Sequence, residues 1–128
     1  MGADTAAIVA TVSAPALTPE LALQYLGELS TDIKASVVIA ADGRTAAASK
    51  PGEAGDRLRV LTQQLFEHAD AADPEVVSQI EVSTGDGIVF AVRDERWIIA
   101  VVAGRFALSS LMFYDLRAVL DDLEGRPA

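Results

Sequence analysis

His68 is the single histidine of the chain and the first candidate for acid–base chemistry. A catalytic imidazole needs an acid or a nucleophile held beside it. The neighbouring acids Glu67 and Asp70 do not face His68 if the segment is helical, because helical neighbours stand three or four positions apart. The pattern favours a solvated helix residue. With one histidine and no cysteine, it does not indicate a zinc site.

Residues 83–87, STGDG, could suggest a loop that binds phosphate. Such loops lead from a strand into the N-terminus of a helix and often carry a lysine. Here the glycines lead into another strand-like run, and no lysine follows. The stretch therefore predicts a hairpin turn.

Carboxylates gather near the C-terminus at Asp121, Asp122 and Glu124. They are placed at the end of a predicted helix, where acids oppose the helix dipole, and this pattern is more typical of a solvated terminus than of a metal site. The sequence contains no Gly-x-Ser-x-Gly motif, no paired catalytic acids and no dinucleotide fingerprint. We therefore expect a protein that is not an enzyme and carries no cofactor or metal.

The composition narrows the class of partner. Ten basic residues stand against nineteen acidic ones in 128 residues, which gives a net charge of −9. Nucleic acids and anionic membranes both require a basic surface, so neither is expected as a partner. No apolar run approaches the ~20 residues of a membrane span, and the first residues lack the cations of a signal peptide. We expect a cytoplasmic protein without membrane insertion.

The first half of the chain predicts a helix, a hairpin and a second helix. Thr18, Pro19 and Glu20 form a helix start. The expected apolar stripe comprises Leu21, Tyr25 and Leu29, widened by Ala22 and Leu26. An apolar strand then ends at Asp42-Gly43, for which we expect a type I′ turn, and residues 44–49 return. Residues 50–55 read as a loop, and residues 56–73 as an amphipathic helix. Its inner row is expected to comprise Leu58, Leu61, Leu65, Ala69 and Ala72, with Phe66 at the edge.

The second half predicts a meander of three strands, at residues 76–83, 88–93 and 97–103, and a last helix. Tight turns between strands imply an antiparallel sheet, so the chain is expected to form one α+β domain over residues 17–125. Residues 1–16 are expected to be a flexible arm and 126–128 a tail, with the helix stop at Gly125 and Pro127. The expected inner face of the last helix comprises Leu108, Leu111, Met112, Leu116, Val119, Leu120 and Leu123.

Two polar surfaces remain once this core is assigned. Val60, Gln64 and Glu67 lie on the middle helix opposite Leu58, although an exposed valine alone is ordinary. Val77, Gln79 and Glu81 follow one side of the strand after that helix. If this strand lies at the sheet edge, its free backbone groups can pair with another chain.

From residue 17 to residue 123 the order of elements resembles the Roadblock family, which includes the dynein light chains of that name and bacterial relatives. The resemblance is carried by the opening helix LALQYLGELS, the hairpin VVIAADGRTAAAS, the long middle helix, the meander IEVSTGDGIVFAVRDERWIIAVVA and the final amphipathic helix. It implies a three-layer α/β/α arrangement, with a five-stranded antiparallel sheet between the middle helix and the two terminal helices.

The resemblance also implies a function. Family members usually form homodimers by pairing their middle helices and the strands that follow, which would make Val60, Gln64, Glu67, Val77, Gln79 and Glu81 the interface. Bacterial members commonly regulate or scaffold small Ras-like GTPases, and some accompany sensor kinases. We expect such a GTPase partner, with Arg57 and Arg59 as the cations to test for contact. A small-molecule sensor or an accessory domain of a sensor kinase remains the alternative.

Overall fold

The computed structural model describes residues 16–85 and 87–124, and in this part of the chain three helices and five strands form one layered unit. The predicted tail and most of the predicted arm, together with the helix stop at Gly125 and Pro127, lie outside these residues. The elements are α1 Pro19–Leu29, β1 Ile33–Ala40, β2 Thr45–Ala48, α2 Glu53–Ala72, β3 Gln79–Thr84, β4 Gly87–Arg93, β5 Trp97–Ala103 and α3 Ser109–Asp122.

The five strands form an antiparallel sheet in the order β2-β1-β5-β4-β3. The centre of the sheet is buried on both faces, which explains why β1, β4 and β5 are almost continuous apolar runs. One core lies under α1 and α3 and contains Phe90, while the other lies under α2 and contains Phe66. This confirms the three-layer arrangement. Among the described residues no helix is long and apolar enough to cross a membrane.

Helix α1 starts as predicted but buries only part of the expected stripe. The Thr18 hydroxyl accepts a hydrogen bond from the Leu21 amide at 3.2 Å, and Pro19 opens the helix. The expected stripe was right in part: Ala22 and Leu26 are buried, together with Leu23, whereas Leu21, Tyr25 and Leu29 are 44–50% exposed. The small side chain of Ala22 lets the helix approach the sheet closely, and the bulkier row is displaced to the flank.

The turn between β1 and β2 is also not the expected type I′. Such a turn needs positive φ at two residues, and among the described residues outside glycine no φ is positive. The Gly43 amide donates to the Ala40 carbonyl and the Ala40 amide to the Arg44 carbonyl, both at 2.9 Å. In this turn only Gly43 has positive φ, at 89°. The hairpin therefore has a three-residue loop that ends in a left-handed glycine.

Helix α2 begins at Glu53, inside the stretch that we expected to be a loop. The buried face of α2 also differs from the predicted one. Phe66, which was expected at the edge of this face, is buried in the core, whereas Ala72, which was expected on the inner row, is exposed. Gly55 permits this early start: a Cβ there would lie 2.7 Å from the Lys50 carbonyl oxygen. The helix can therefore continue one turn further toward β2 than the apolar pattern indicated.

The meander is close to the prediction, with β5 at residues 97–103 as expected. Strand β3 starts at Gln79 rather than at residue 76, because its partner β4 ends at Arg93 and pairs only as far as Val92 with Gln79. The STGDG stretch connects β3 to β4, where Thr84 pairs with Gly87, so it is a hairpin turn and not a phosphate loop.

Helix α3 begins at Ser109, and two residues that were expected on its inner face do not reach the core. Leu108 and Leu111 were predicted to face the core and are 69% and 56% exposed. The other predicted inner residues are buried, through to Leu123 just beyond the helix. The Leu17 amide bonds the Asp122 carbonyl, and the Glu124 amide bonds the Leu17 carbonyl, so the start of α1 is fixed beside the end of α3.

Candidate functional site

An open groove of about 880 Å³ runs along one side of α2. Helix α2 packs mainly on β1, β2 and β5, so it leaves β4 and β3 less covered. The helix side of the groove is formed by Val60, Leu61 and Gln64, and its floor by Val89 and Val102. The groove is therefore mostly apolar and opens toward β3.

Within residues 16–85 and 87–124, strand β3 forms one edge of the sheet and pairs only with β4. Its side chains alternate, with Ile80, Val82 and Thr84 half-buried and the residues between them exposed. Ile80 packs against the core under α2, and Thr84 lines the groove, so the apolar side of β3 faces α2. We call Val60, Leu61, Gln64, Ile80 and Val82 the α2–β3 surface. An edge strand with an apolar side next to an open groove is suited to pairing with another chain.

The predicted interface residues on α2 lie where the sequence placed them. Val60 is 41% exposed, and Gln64 and Glu67 are exposed on the same outer side of the helix. Val60 and Gln64 line the groove. These residues thus belong to one surface, and their role in an interface stays a prediction.

The predicted residues on β3 do not join them. Gln79 accepts a hydrogen bond from Arg117 Nε at 3.0 Å, and Glu81 accepts one from the Ser109 hydroxyl at 2.9 Å. Both partners belong to α3, on the opposite face of the sheet. Since the alternation of β3 sends these polar side chains toward α3, the side chains facing α2 are Ile80 and Val82. Sheet alternation against Val89 and Ala91 of β4 is the signal that could have identified them.

Val77 lies before β3 and is half-buried against the core under α2. Its carbonyl accepts a hydrogen bond from Arg93 Nε at 2.8 Å. The guanidinium of Arg93 also stacks on the Phe66 ring, 4.2 Å from its centroid, and pairs with Asp70. Arg93 thus joins α2, β4 and the segment leading into β3, and no motif in the sequence singles it out.

The two predicted contact cations diverge. Arg57 lines the groove and stands 3.9 Å from the exposed Glu53. Arg59 turns the other way and donates to Gln63 Oε1 at 3.2 Å, while Gln63 itself donates to the Gly43 carbonyl in the hairpin. A partner seated in the groove would touch Arg57 but not Arg59.

Acid–base and metal chemistry find little support in the described residues. His68 is exposed on α2. Within residues 16–85 and 87–124 no three His, Cys, Asp or Glu side chains are grouped so that they could hold a metal ion. The Arg44 backbone amide, aided by the guanidinium, lowers the pKa of the exposed Asp42 carboxyl in the β1–β2 hairpin, away from the groove.

The sequence matches no protein-family model and no curated protein. The structure is similar to a Roadblock/LC7 domain from Streptomyces avermitilis, with a TM-score of 0.69 and 19% identity over 77% of this chain and 88% of that one. It is also similar to the gliding protein MglB from Thermus thermophilus, with a TM-score of 0.65 and 15% identity over 82% and 90%. Myxococcus xanthus MglB gives 0.57 and 12% over 74% and 78%. The fold is therefore that of Roadblock/LC7 domains, as the order of elements indicated.

Proposed function

We propose that this protein is a non-catalytic homodimeric regulator or scaffold that binds a small Ras-like GTPase. The observation that carries the dimer is the α2–β3 surface, in which an unpaired strand edge adjoins an open apolar groove. The GTPase partner rests on the Roadblock resemblance and on the likeness to the gliding protein MglB. The described residues offer a surface without an assembled set of catalytic side chains.

In the proposed dimer, two copies pair their β3 edges antiparallel about a two-fold axis. The α2 helix of each copy would then pack over the groove of the other, so that Val60 and Leu61 meet Ile80 and Val82 across the interface. Such a contact uses the same surface from both copies, which is the usual arrangement in homodimers. Val60 and Gln64 become central, while Gln79 and Glu81 contribute through their backbone groups.

The lining of the groove favours a protein occupant over a small molecule. A small-molecule site buries most of its ligand and offers a few convergent polar groups. Here the groove is open, and its polar side chains include Arg57 and Gln64 on the outer part of α2. A ligand sensor or kinase accessory domain remains the alternative, with less support than the dimer.

The dimer is tested by sedimentation velocity on the wild type and two variants that add the same charge. Val60→Asp places a carboxylate in the proposed interface and is expected to weaken dimerisation at least tenfold. Val76→Asp is the matched control, because Val76 is 86% exposed and lies off the surface. Equal dimerisation of both variants would contradict the proposed interface, and circular dichroism checks that each variant is folded.

The GTPase partner is tested separately, with tagged wild type and Val60→Asp as baits in lysate of the source cells. Each binding reaction receives GDP or a non-hydrolysable GTP analogue, and retained proteins are identified by mass spectrometry. Enrichment of a Ras-like GTPase in one nucleotide state supports the regulator. If it appears, Arg57→Glu and Arg59→Glu test the two cations one by one. If a dimer forms but no GTPase is retained, only the partner assignment fails.

A further inference from the structure

A second apolar surface lies on the other face of the sheet, along α1. Leu21, Tyr25 and Leu29 follow at intervals of four residues and therefore form one row along the helix. Each of them is close to half exposed, although α1 buries Ala22 and Leu26 beside them. A row of three large apolar side chains at helical spacing is more than the scattered exposure that any protein surface shows.

The contacts of α1 show where this row points. The opposite flank of α1, with Leu23 and Gln24, lines a small cleft against Ala47 and Ala48 of β2. The Leu21–Leu29 row consequently lies on the side of α1 that faces α3, which packs beside it. The two helices run antiparallel, because Leu17 pairs with Leu123 at one end and the Gly104 amide bonds the Asp32 carbonyl at the other.

Helix α3 lies beside the exposed row of α1 and forms the other side of this surface. Its flank with Phe113 and Arg117 faces β4 and β3, since Phe113 stacks edge-on against Phe90 and Arg117 bonds Gln79. The opposite flank carries Leu111, Asp115 and Asp122 at helical spacing and faces α1. We call the row Leu21, Tyr25 and Leu29, together with Leu111 and Asp115, the α1–α3 groove.

The charge beside this groove is acidic. Glu28 on α1 and Asp115 and Asp122 on α3 lie on the flanks that face it, and the single cation of the two helices is Arg117. Arg117 is held on the far side of α3 by Gln79 and Ser78. Lys34 and Arg105 lie beyond the helices, near the end where α1 stops and α3 begins. The walls of the groove are thus apolar with carboxylates along their rims.

We propose that the α1–α3 groove binds an amphipathic helix of a partner protein, with apolar side chains every three or four residues and Lys or Arg on its flanks. Two helices lying side by side present a furrow that a third helix fits, and an apolar row at four-residue spacing provides the ridges. Cationic flanks match the acidic rims. A second copy of this chain fits less well, because its own acidic rims would meet those of the first.

Synthetic peptides of about 18 residues test the charge and the pattern separately, since that length supports partial helicity in water. The probe is an amphipathic Leu/Lys peptide. Its controls are a peptide of the same composition with the leucines spread around the helix, and a Leu/Glu peptide with the original pattern. Binding to the full chain is measured by calorimetry and mapped by amide chemical shifts. We expect only the amphipathic Leu/Lys peptide to bind, with shifts centred on Tyr25, Leu29 and Leu111.

Two variants, each with a matched control, locate the contact. Leu29→Ser is expected to weaken peptide binding at least tenfold, while Val76→Ser, at an 86% exposed position before β3, leaves it unchanged. The double variant Glu28→Gln/Asp115→Asn is expected to weaken it severalfold, while Glu95→Gln, in the turn before β5, does not.

Several results would overturn the proposal. One is that the Leu/Glu peptide binds as tightly as the Leu/Lys peptide. Another is that the amide chemical-shift changes map to α2, and a third is that no peptide binds. Self-association lost in Leu29→Ser would identify a second copy as the occupant. Ile8 belongs to the first fifteen residues of the chain. If the Leu/Lys peptide bound only to the Ile8→Asp variant, the occupant of the groove would be this N-terminal segment and not a partner protein. The proposal does not depend on the GTPase partner, because the probe contains no such protein.

Discussion

Gly87 is the first residue of β4, and the backbone of β5 passes so close to its Cα that no side chain fits there. Its φ is 148°, and a Cβ would lie 2.2 Å from the carbonyl oxygen of Ala103. Gly87→Ala therefore forces the two strands apart and is expected to lower the free energy of unfolding by about 1–3 kcal/mol, the usual cost of strained backbone. Urea denaturation monitored by Trp97 fluorescence measures it. Gly27→Ala, in mid-helix with open space around it, is expected to stabilise by about 0.5–1 kcal/mol; equal losses in both would contradict the steric explanation.

Asp42 gives the β1–β2 hairpin a dependence on pH. The Arg44 amide donates to its carboxylate at 3.0 Å, and with the guanidinium it lowers the pKa of Asp42 in the folded protein. A lowered folded-state pKa contributes stability above the unfolded-state value of about 4, and this contribution is lost as the pH falls through the lower folded-state pKa. We expect an NMR titration of the Asp42 carboxyl to have its midpoint below the ordinary aspartate value of about 3.9, and Asp42→Asn to remove this part of the acid sensitivity. A midpoint at the ordinary value would refute the local explanation.

At the scale of elements, Arg93 joins α2 to the strand edge that the proposed dimer uses. Its guanidinium lies on Phe66, bonds the Val77 carbonyl and pairs with Asp70, and its side chain is only 19% exposed. Arg93→Lys keeps the charge but loses the planar stacking and the fixed fork of donors, so we expect a loss of about 1–2 kcal/mol. Arg44→Lys is the control, because its pair with Asp42 is exposed and such surface ion pairs contribute little to stability. The two variants are compared by urea denaturation, and similar small losses would show that Arg93 does not tie these elements together.

The helices also show how far the sequence alone could lead. Strands β4 and β5 were predicted almost to the residue, because fully buried strands are continuous apolar runs between turns. Helix α1 has two adjacent apolar rows, and periodicity cannot tell which one faces the sheet; the small Ala22 decides it through close packing. The edge position of β3 followed from the resemblance, but the side that faces α2 did not, because the polar residues Gln79 and Glu81 are used on α3. The helix residues Val60 and Gln64 thus line the groove, whereas the polar residues named on the strand face α3, and the role of either set in an interface stays a prediction.

At the scale of the whole molecule, the net charge of −9 makes two copies repel while it attracts a cationic helix. The screening length falls from about 30 Å at 10 mM salt to about 8 Å at physiological ionic strength. Raising the salt should therefore tighten the proposed homodimer severalfold and weaken the Leu/Lys peptide. Sedimentation velocity and calorimetry over the same salt series measure both trends. Glu67→Gln removes a like charge beside the α2–β3 surface and should flatten the salt dependence of the dimer. If the dimer instead weakens with salt, ion pairs between copies hold it together, and Arg57 in the groove is the first cation to replace.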